Sequence, residues 1–268
     1  MIRKRKRNRI HAGGEDDKRV GVIKLTPEEA KIVEKDHNIE KGGNLQPKRF
    51  SALPKQVRKK FFKNSPNFIR GGSVSDGTCF YHTLATVTNI DDYFHKSAQE
   101  QGRMGRAFRK KIHDRITEDA WAHFWKKKNV EVSLVPDLKG IKEQMKNPKT
   151  WADVFAILWV CDLLNLNLLV FDMQSHSLYC GTFEAKIDRP TILMAWIQHA
   201  HFEPILEWDP TKMRLRSLFS RRREGPTILD HLIRMYEEQG CPGVTIHEIL
   251  RRRRQARRRR RRRNRSRR

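Results

Sequence analysis

Asp76-Gly77-Thr78-Cys79-Phe80-Tyr81-His82 carries a cysteine from a short polar turn into the first turn of an apolar helical stretch. Unpaired amide hydrogens and the positive end of the helix dipole converge on a sulfur so placed and favour the thiolate. Gly77 permits a tight turn, the backbone from Asp76 through Thr78 to Cys79 offers amides to an oxyanion, and Asp76 can accept the loop amides not given to substrate. Taken alone, Cys79 reads first as a small core residue, because free cysteine is among the most buried types. A nucleophile needs a base, and His201 is the best candidate. In Ile197-Gln198-His199-Ala200-His201-Phe202-Glu203-Pro204-Ile205 it closes a loop between two apolar strands and opens the second. Residues i and i+2 share a face on a strand, so Glu203 projects beside His201 and can accept one ring N–H. His199 competes for the base role; His201 is preferred because only it has a carboxylate two residues downstream on the strand.

The elements that must position these groups follow from periodicity. Phe80 to Val87 is helical in pattern, and a second helix is expected over Phe108 to about Lys126, with Phe108, Ile112, Ile116, Ala120 and Phe124 four apart. Trp151 to Leu164 is apolar nearly all round and therefore a buried helix, with Trp151 packing at its start and Asp153 capping it. Strands are expected at Leu166–Phe171, Leu178–Phe183, Thr191–Ile197 and Phe202–Glu207, with a turn at Gln174–Ser177. Helices first and strands later indicate an α+β fold. Upstream, Thr26-Pro27-Glu28-Glu29 is a capping box opening a two-turn helix, and Pro54 to Lys63 is a basic helix with Val57, Phe61 and Phe62 on its apolar edge. The remainder of residues 1–65 reads as a basic, polar, largely flexible arm. Residues 209–250 read as a linker with Arg221, Arg222 and Arg223, followed by two short helices, Ile228–Glu238 and Thr245 to about Arg254.

Lys and Arg number 57 against 31 Asp and Glu in 268 residues, a formal charge of +26. The two ends, residues 1–10 and 251–268, hold six and 14 of those cations and no acid, so the 240 residues between carry only +6. The Arg-rich tail is expected to be disordered alone and to bind nucleic-acid phosphates without sequence preference through Arg251, Arg252, Arg257, Arg258, Arg259 and Arg260, or to act as a nuclear-import signal. The longest apolar run, Val154–Cys161, is eight residues, against the ~20 that span a bilayer, and the charged N-terminus lacks an apolar stretch, so neither a membrane partner nor a secretory signal is expected. Cys79, Cys161, Cys180 and Cys241 form no C-x-x-C pair, which fits neither a disulfide scaffold nor a zinc ribbon. Cys161 reads as core, Cys180 and Cys241 are unexplained thiols, and no metal or other cofactor is expected. His82 lies three residues after Cys79 on the same helix face, and its default reading is packing.

Three separated pieces, in order, resemble the ovarian-tumour (OTU) family of cysteine proteases, whose members cleave ubiquitin from proteins. They are Asp76 through Leu84, then Trp151-Ala152-Asp153 with the following helix and Leu168-Leu169-Val170-Phe171, and last His201-Phe202-Glu203. The resemblance covers residues 66–208, about half the chain. It implies a papain-like fold with a small central sheet flanked by helices and basic disordered tails. It also implies Cys79 as nucleophile, His201 as base and the Asp76–Cys79 backbone, with Gly77 and Thr78, as oxyanion loop. Glu203 stands where many members have Asp or Asn and is one methylene longer, so Asp76 stays open as the third member. The implied activity is hydrolysis after the C-terminal glycine of ubiquitin, with ubiquitin or its conjugates as partner and Asp91, Asp92, Glu118 and Asp119 as candidate acidic contacts. An intracellular, nuclear protein is expected, or a virion protein if the source is viral. The competing expectation is an inactive OTU-like shell that binds or packages nucleic acid.

Overall fold

The computed structural model describes residues 21–63, 65–127, 137–147, 150, 152–181 and 189–219. The expected helices 228–238 and 245–254, Trp151, Cys241, the Arg251–Arg260 cations and the Cys180 side chain lie outside them. In chain order the elements are β1 (Val22–Lys24), α1 (Pro27–Asp36), β2 (Phe50–Ala52), α2 (Lys55–Phe61), β3 (Phe68–Gly71) and α3 (Cys79–Thr88). A 3₁₀ segment (Ile90–His95) leads to α4 (Ala98–His113), α5 (Glu118–Lys127), α6 (Leu138–Lys146) and α7 (Val154–Leu163). The strands β4 (Asn167–Asp172), β5 (Ser177–Cys180), β6 (Thr191–Ile197), β7 (His201–Asp209) and β8 (Arg214–Arg216) complete the sheet.

The fold is α+β, a mixed central sheet between helices. Its strand order is β1-β8-β7-β6-β4-β5, with β3 on β7 and β2 on β3. β4 and β6 run parallel, and every residue of β4 is buried. Both faces of this parallel pair are covered, which explains its unbroken apolar run. Leu168, Val170, Ile192 and Met194 face the core made by α3 through α7, while Leu169, Phe171, Leu193 and Ala195 face α2. A third core joins Ile23, Leu25 and Val33 to Phe50, Ile69, Leu206 and Trp208.

β7 organises the centre. Ile205 pairs with Leu193 of β6 and with Arg70 of β3, so these strands occupy opposite edges. β3 reaches no further than that register, which leaves the β7 edge at Phe202 open to α3. Thr83 of α3 donates its hydroxyl hydrogen to the Phe202 carbonyl at 2.9 Å. The start of α3 is thereby pinned to the start of β7.

Two expectations are corrected. Residues 22–62 are not a flexible arm: β1 pairs with β8 and β2 with β3, and Val33, Leu45, Leu53 and Phe61 are buried. Three-residue strands bury too few positions to show an alternating pattern in sequence, which is why they read as polar chain. The single helix over Phe108–Lys126 is two, because the chain turns at Asp114–Arg115 and restarts where Thr117 Oγ1 accepts the Ala120 N–H at 3.1 Å. The apolar spacing continues across the break because Ile112, Ile116 and Phe124 enter the same core. Asp153 caps α7 as expected, accepting the Ala156 N–H at 2.9 Å.

Candidate active site

Cys79 is the first residue of α3, delivered by Gly77 at φ +79°. The loop before it is held from two sides. Asp76 Oδ1 accepts the Thr78 N–H at 3.0 Å and faces His82 Nε2 at 2.9 Å, while Asp76 Oδ2 accepts from Arg106 at 2.9 Å. His82 is fully buried, and its Nδ1 meets the Tyr93 hydroxyl at 2.6 Å. Arg109 donates to the Gly77 carbonyl at 3.2 Å while bonding the carbonyls of Met145, Gln144 and Thr150. The reactive turn is thus tied to α4 and, through Arg109, to α6.

Cys79 heads the helix that packs on β7, and the backbone amides of Phe202, Phe80 and Cys79 itself favour its thiolate. The Phe202 carbonyl accepts from Thr83, and the next residue toward the turn is His201. The imidazole has Nδ1 3.5 Å from the Ser75 hydroxyl and Nε2 3.8 Å from Glu203 Oε1. Glu203 shares the face of His201, as the period of two requires. Its Oε1 accepts the Leu45 N–H at 2.6 Å, and its Oε2 lies 3.2 Å from Arg70 Nε. The Arg70 guanidinium also donates to the Gly43 and Lys41 carbonyls at 3.1 and 2.6 Å.

Burial dominates the electrostatics. Cys79 is 4% exposed, His201 3% and Glu203 not at all. Burial pushes the Cys79 thiol up despite the amides that favour its thiolate, and Asp76 pushes it further. Burial, with Arg70 and His82 adding to it, brings His201 down to about 4. Burial lifts Glu203 to about 7 against the pull of Arg70 and the Leu45 amide. Burial would also raise Asp76, but His82, Thr78 and Arg106 outweigh it and bring the carboxyl down to about 2. At neutral pH the resting pair is therefore a thiol beside a neutral imidazole.

The structure gathers Cys79, His201 and Glu203 around the junction of α3 and β7, and it separates the alternatives. Asp76 spends its carboxylate on Thr78, His82 and Arg106, so it braces the loop and does not orient His201. The Thr78 N–H is committed to Asp76, which removes that amide from the oxyanion set and leaves the amides around Cys79. His199, its side chain 55% exposed, pairs instead with the buried Asp172 at 2.9 Å and leans on Trp196. His82 is a network residue, not only packing. Asp91 and Asp92 are exposed in the 3₁₀ segment beyond the far end of α3, and Glu118 and Asp119 are exposed on α5. Cys161 is wholly buried in the core. Among the described residues no group of three or more His, Cys, Asp or Glu is placed to hold a metal ion, and no helix is long and apolar enough to cross a membrane.

Sequence reasoning missed Arg70, the Leu45 amide, Ser75 and Arg109. One signal was available for Arg70: a cation inside the apolar run Phe68-Ile69-Arg70 requires a buried acceptor.

No protein-family model matches the sequence, and no curated protein matches it. Solved structures do. The solved structures it is similar to are OTU domains. The OTUD1 OTU domain shares 17% identity over 58% of this chain and 93% of its own, at a TM-score of 0.41. An OTU domain in complex with ubiquitin shares 15% over 66% of this chain and 92% of its own, also at 0.41. The Hazara virus OTU bound to ubiquitin shares 15% over 53% of this chain and 82% of its own, at 0.38.

Proposed function

We propose that this chain is a thiol-dependent deubiquitinase that hydrolyses the peptide or isopeptide bond after the C-terminal glycine of ubiquitin. The observation that carries the reading is the hydrogen bond from Thr83 to the Phe202 carbonyl, which sets α3, headed by Cys79, beside the strand that bears His201 and Glu203. The substrate class comes from the resemblance of Asp76–Leu84 and His201–Glu203 to OTU proteases.

His201 takes the Cys79 proton as the sulfur attacks the scissile carbonyl, since neither group is charged beforehand. The tetrahedral oxyanion is met by backbone amides at the start of α3. Its collapse breaks the C–N bond, and the imidazolium returns the proton to the departing amine. Water then attacks the thioester, giving a proton to His201, and the carboxylate leaves as the thiol is restored.

Labelling with a ubiquitin probe bearing a C-terminal electrophile tests this. The wild type and Cys161→Ala should label; Cys79→Ala and His201→Ala should not. An unlabelled wild type, or label retained in Cys79→Ala, overturns the reading.

The 4% exposure of Cys79 favours a second reading, a non-catalytic chain that works through its basic tail. On that reading Cys79→Ala is without effect, and deleting residues 251–268 abolishes nucleic-acid binding. A tail making ~6–10 phosphate contacts would lose ~10³–10⁵ in affinity between about 50 and 200 mM salt.

A further inference from the structure

We propose that Arg70 is a positioning residue that favours the ionised form of Glu203 and sets it beside His201, with the 41–45 segment as its anchor. This rests on the function proposed above and adds a residue that neither motif nor spacing marks. The guanidinium is 4% exposed and its partner carboxylate fully buried, so the pair lies where charge is screened least. Three contacts fix it: Nε at 3.2 Å from Glu203 Oε2, and two donors on the Gly43 and Lys41 carbonyls. The same segment supplies the Leu45 N–H to the other carboxylate oxygen at 2.6 Å. It cannot drift outward freely, because a Cβ on Gly72 would lie 1.8 Å from the Gln46 carbonyl oxygen, a measure of how tightly the backbones meet. Glu203 is therefore held by groups from outside its own strand, Oε1 by the Leu45 N–H and Oε2 by the Arg70 charge at 3.2 Å with no hydrogen bond between them, while Oε1 lies 3.8 Å from His201 Nε2.

The charged and titratable groups facing this pair are few. His201 faces Glu203 from β7, Arg70 from β3 and His82 from α3. Glu203 faces Arg70, which in turn feels Glu40. Losing the Arg70 charge removes a cation that favours ionised Glu203, so the carboxyl must protonate at higher pH.

The test compares Arg70→Met, Arg70→Lys, Glu203→Gln and the Met/Gln double variant in the full chain. Each is read as probe labelling against pH, normalised to folded protein by circular dichroism. A second readout is the alkylation rate of Cys79 by iodoacetamide against pH, followed on the Cys79 peptide by mass. Arg70→Met should move the acidic limb of both readouts up by about 1 pH unit or more, so that labelling below the limb falls about tenfold. Arg70→Lys keeps the charge and should return the limb towards wild type, and it serves where Arg70→Met fails to fold. In the Glu203→Gln background Arg70→Met should change labelling less than about twofold. An unmoved limb, or losses from the two variants that multiply, would overturn the proposal. If the wild type does not label, the deubiquitinase reading falls, while the alkylation limb still reports on Arg70.

Discussion

Burial acts in opposite senses on the acids and the base of this site, and that opposition predicts how its residues behave with pH. Asp76 near 2 lies below the 3.8 of an unfolded aspartate, so the folded chain binds fewer protons in that interval. Its stabilisation is complete above about pH 4 and is lost as the pH falls towards 2, on the order of 2 kcal/mol in all. Asp76→Asn should lower the unfolding free energy obtained from urea titration by that amount at about pH 6 and leave it nearly unchanged at about pH 2. Glu203, raised from 4.5 to about 7, binds extra protons when folded, so its contribution weakens as pH rises through that window. His201, lowered from 6.5 to about 4, contributes the reverse slope. Glu203→Gln removes the falling component, so its stability should climb more steeply than wild type between about pH 4.5 and 7, while probe labelling drops about 10²-fold. The placement of Cys79 at a helix start and of His201 and Glu203 on one strand was legible in sequence because helix start and strand alternation are local signals. The grip on Glu203 was not, since Leu45 acts through its backbone amide and Arg70 from a separate strand.

Helices α3 and α4 meet where one has a large ring and the other has no side chain. A Cβ on Gly105 would lie 2.0 Å from the His82 ring, whereas one on Gly102 meets only the flexible end of Arg106 at 3.3 Å. Gly105→Ala should therefore destabilise by about 1–3 kcal/mol and, by displacing His82 from Asp76, reduce labelling. Gly102→Ala on the same helix should stabilise by about 0.5–1 kcal/mol through backbone entropy. Thermal melts of the two variants compare them directly. The element reading succeeded where a cap or a long apolar run announced itself, as at Thr26 of α1 and Thr191–Ile197 of β6. It missed residues 98–107 of α4, although Ser97 and Glu100 form a complete capping box, because apolar positions are sparse in that half of the helix.

The whole molecule closes through its first elements. Ile23, Leu25, Ala30, Val33 and Leu45 are all buried. At about 1.5–3 kcal/mol for each large side chain, their loss approaches the entire stability of a domain, about 5–15 kcal/mol. A chain lacking residues 1–46 should thus show no cooperative melt and no labelling, whereas a dispensable arm would leave both intact. Short β1 and β2 owe their order to partners distant in the chain, which a local pattern does not encode. The hydrogen bond from Leu45 to Glu203 joins residues 158 apart. During synthesis the anchoring loop emerges early and the carboxylate it grips arrives only once nearly all of the sheet has been made. A fragment ending before β7 would carry the Cys79 thiol without His201 or Glu203, so the three groups come together only once β7 has been made and paired.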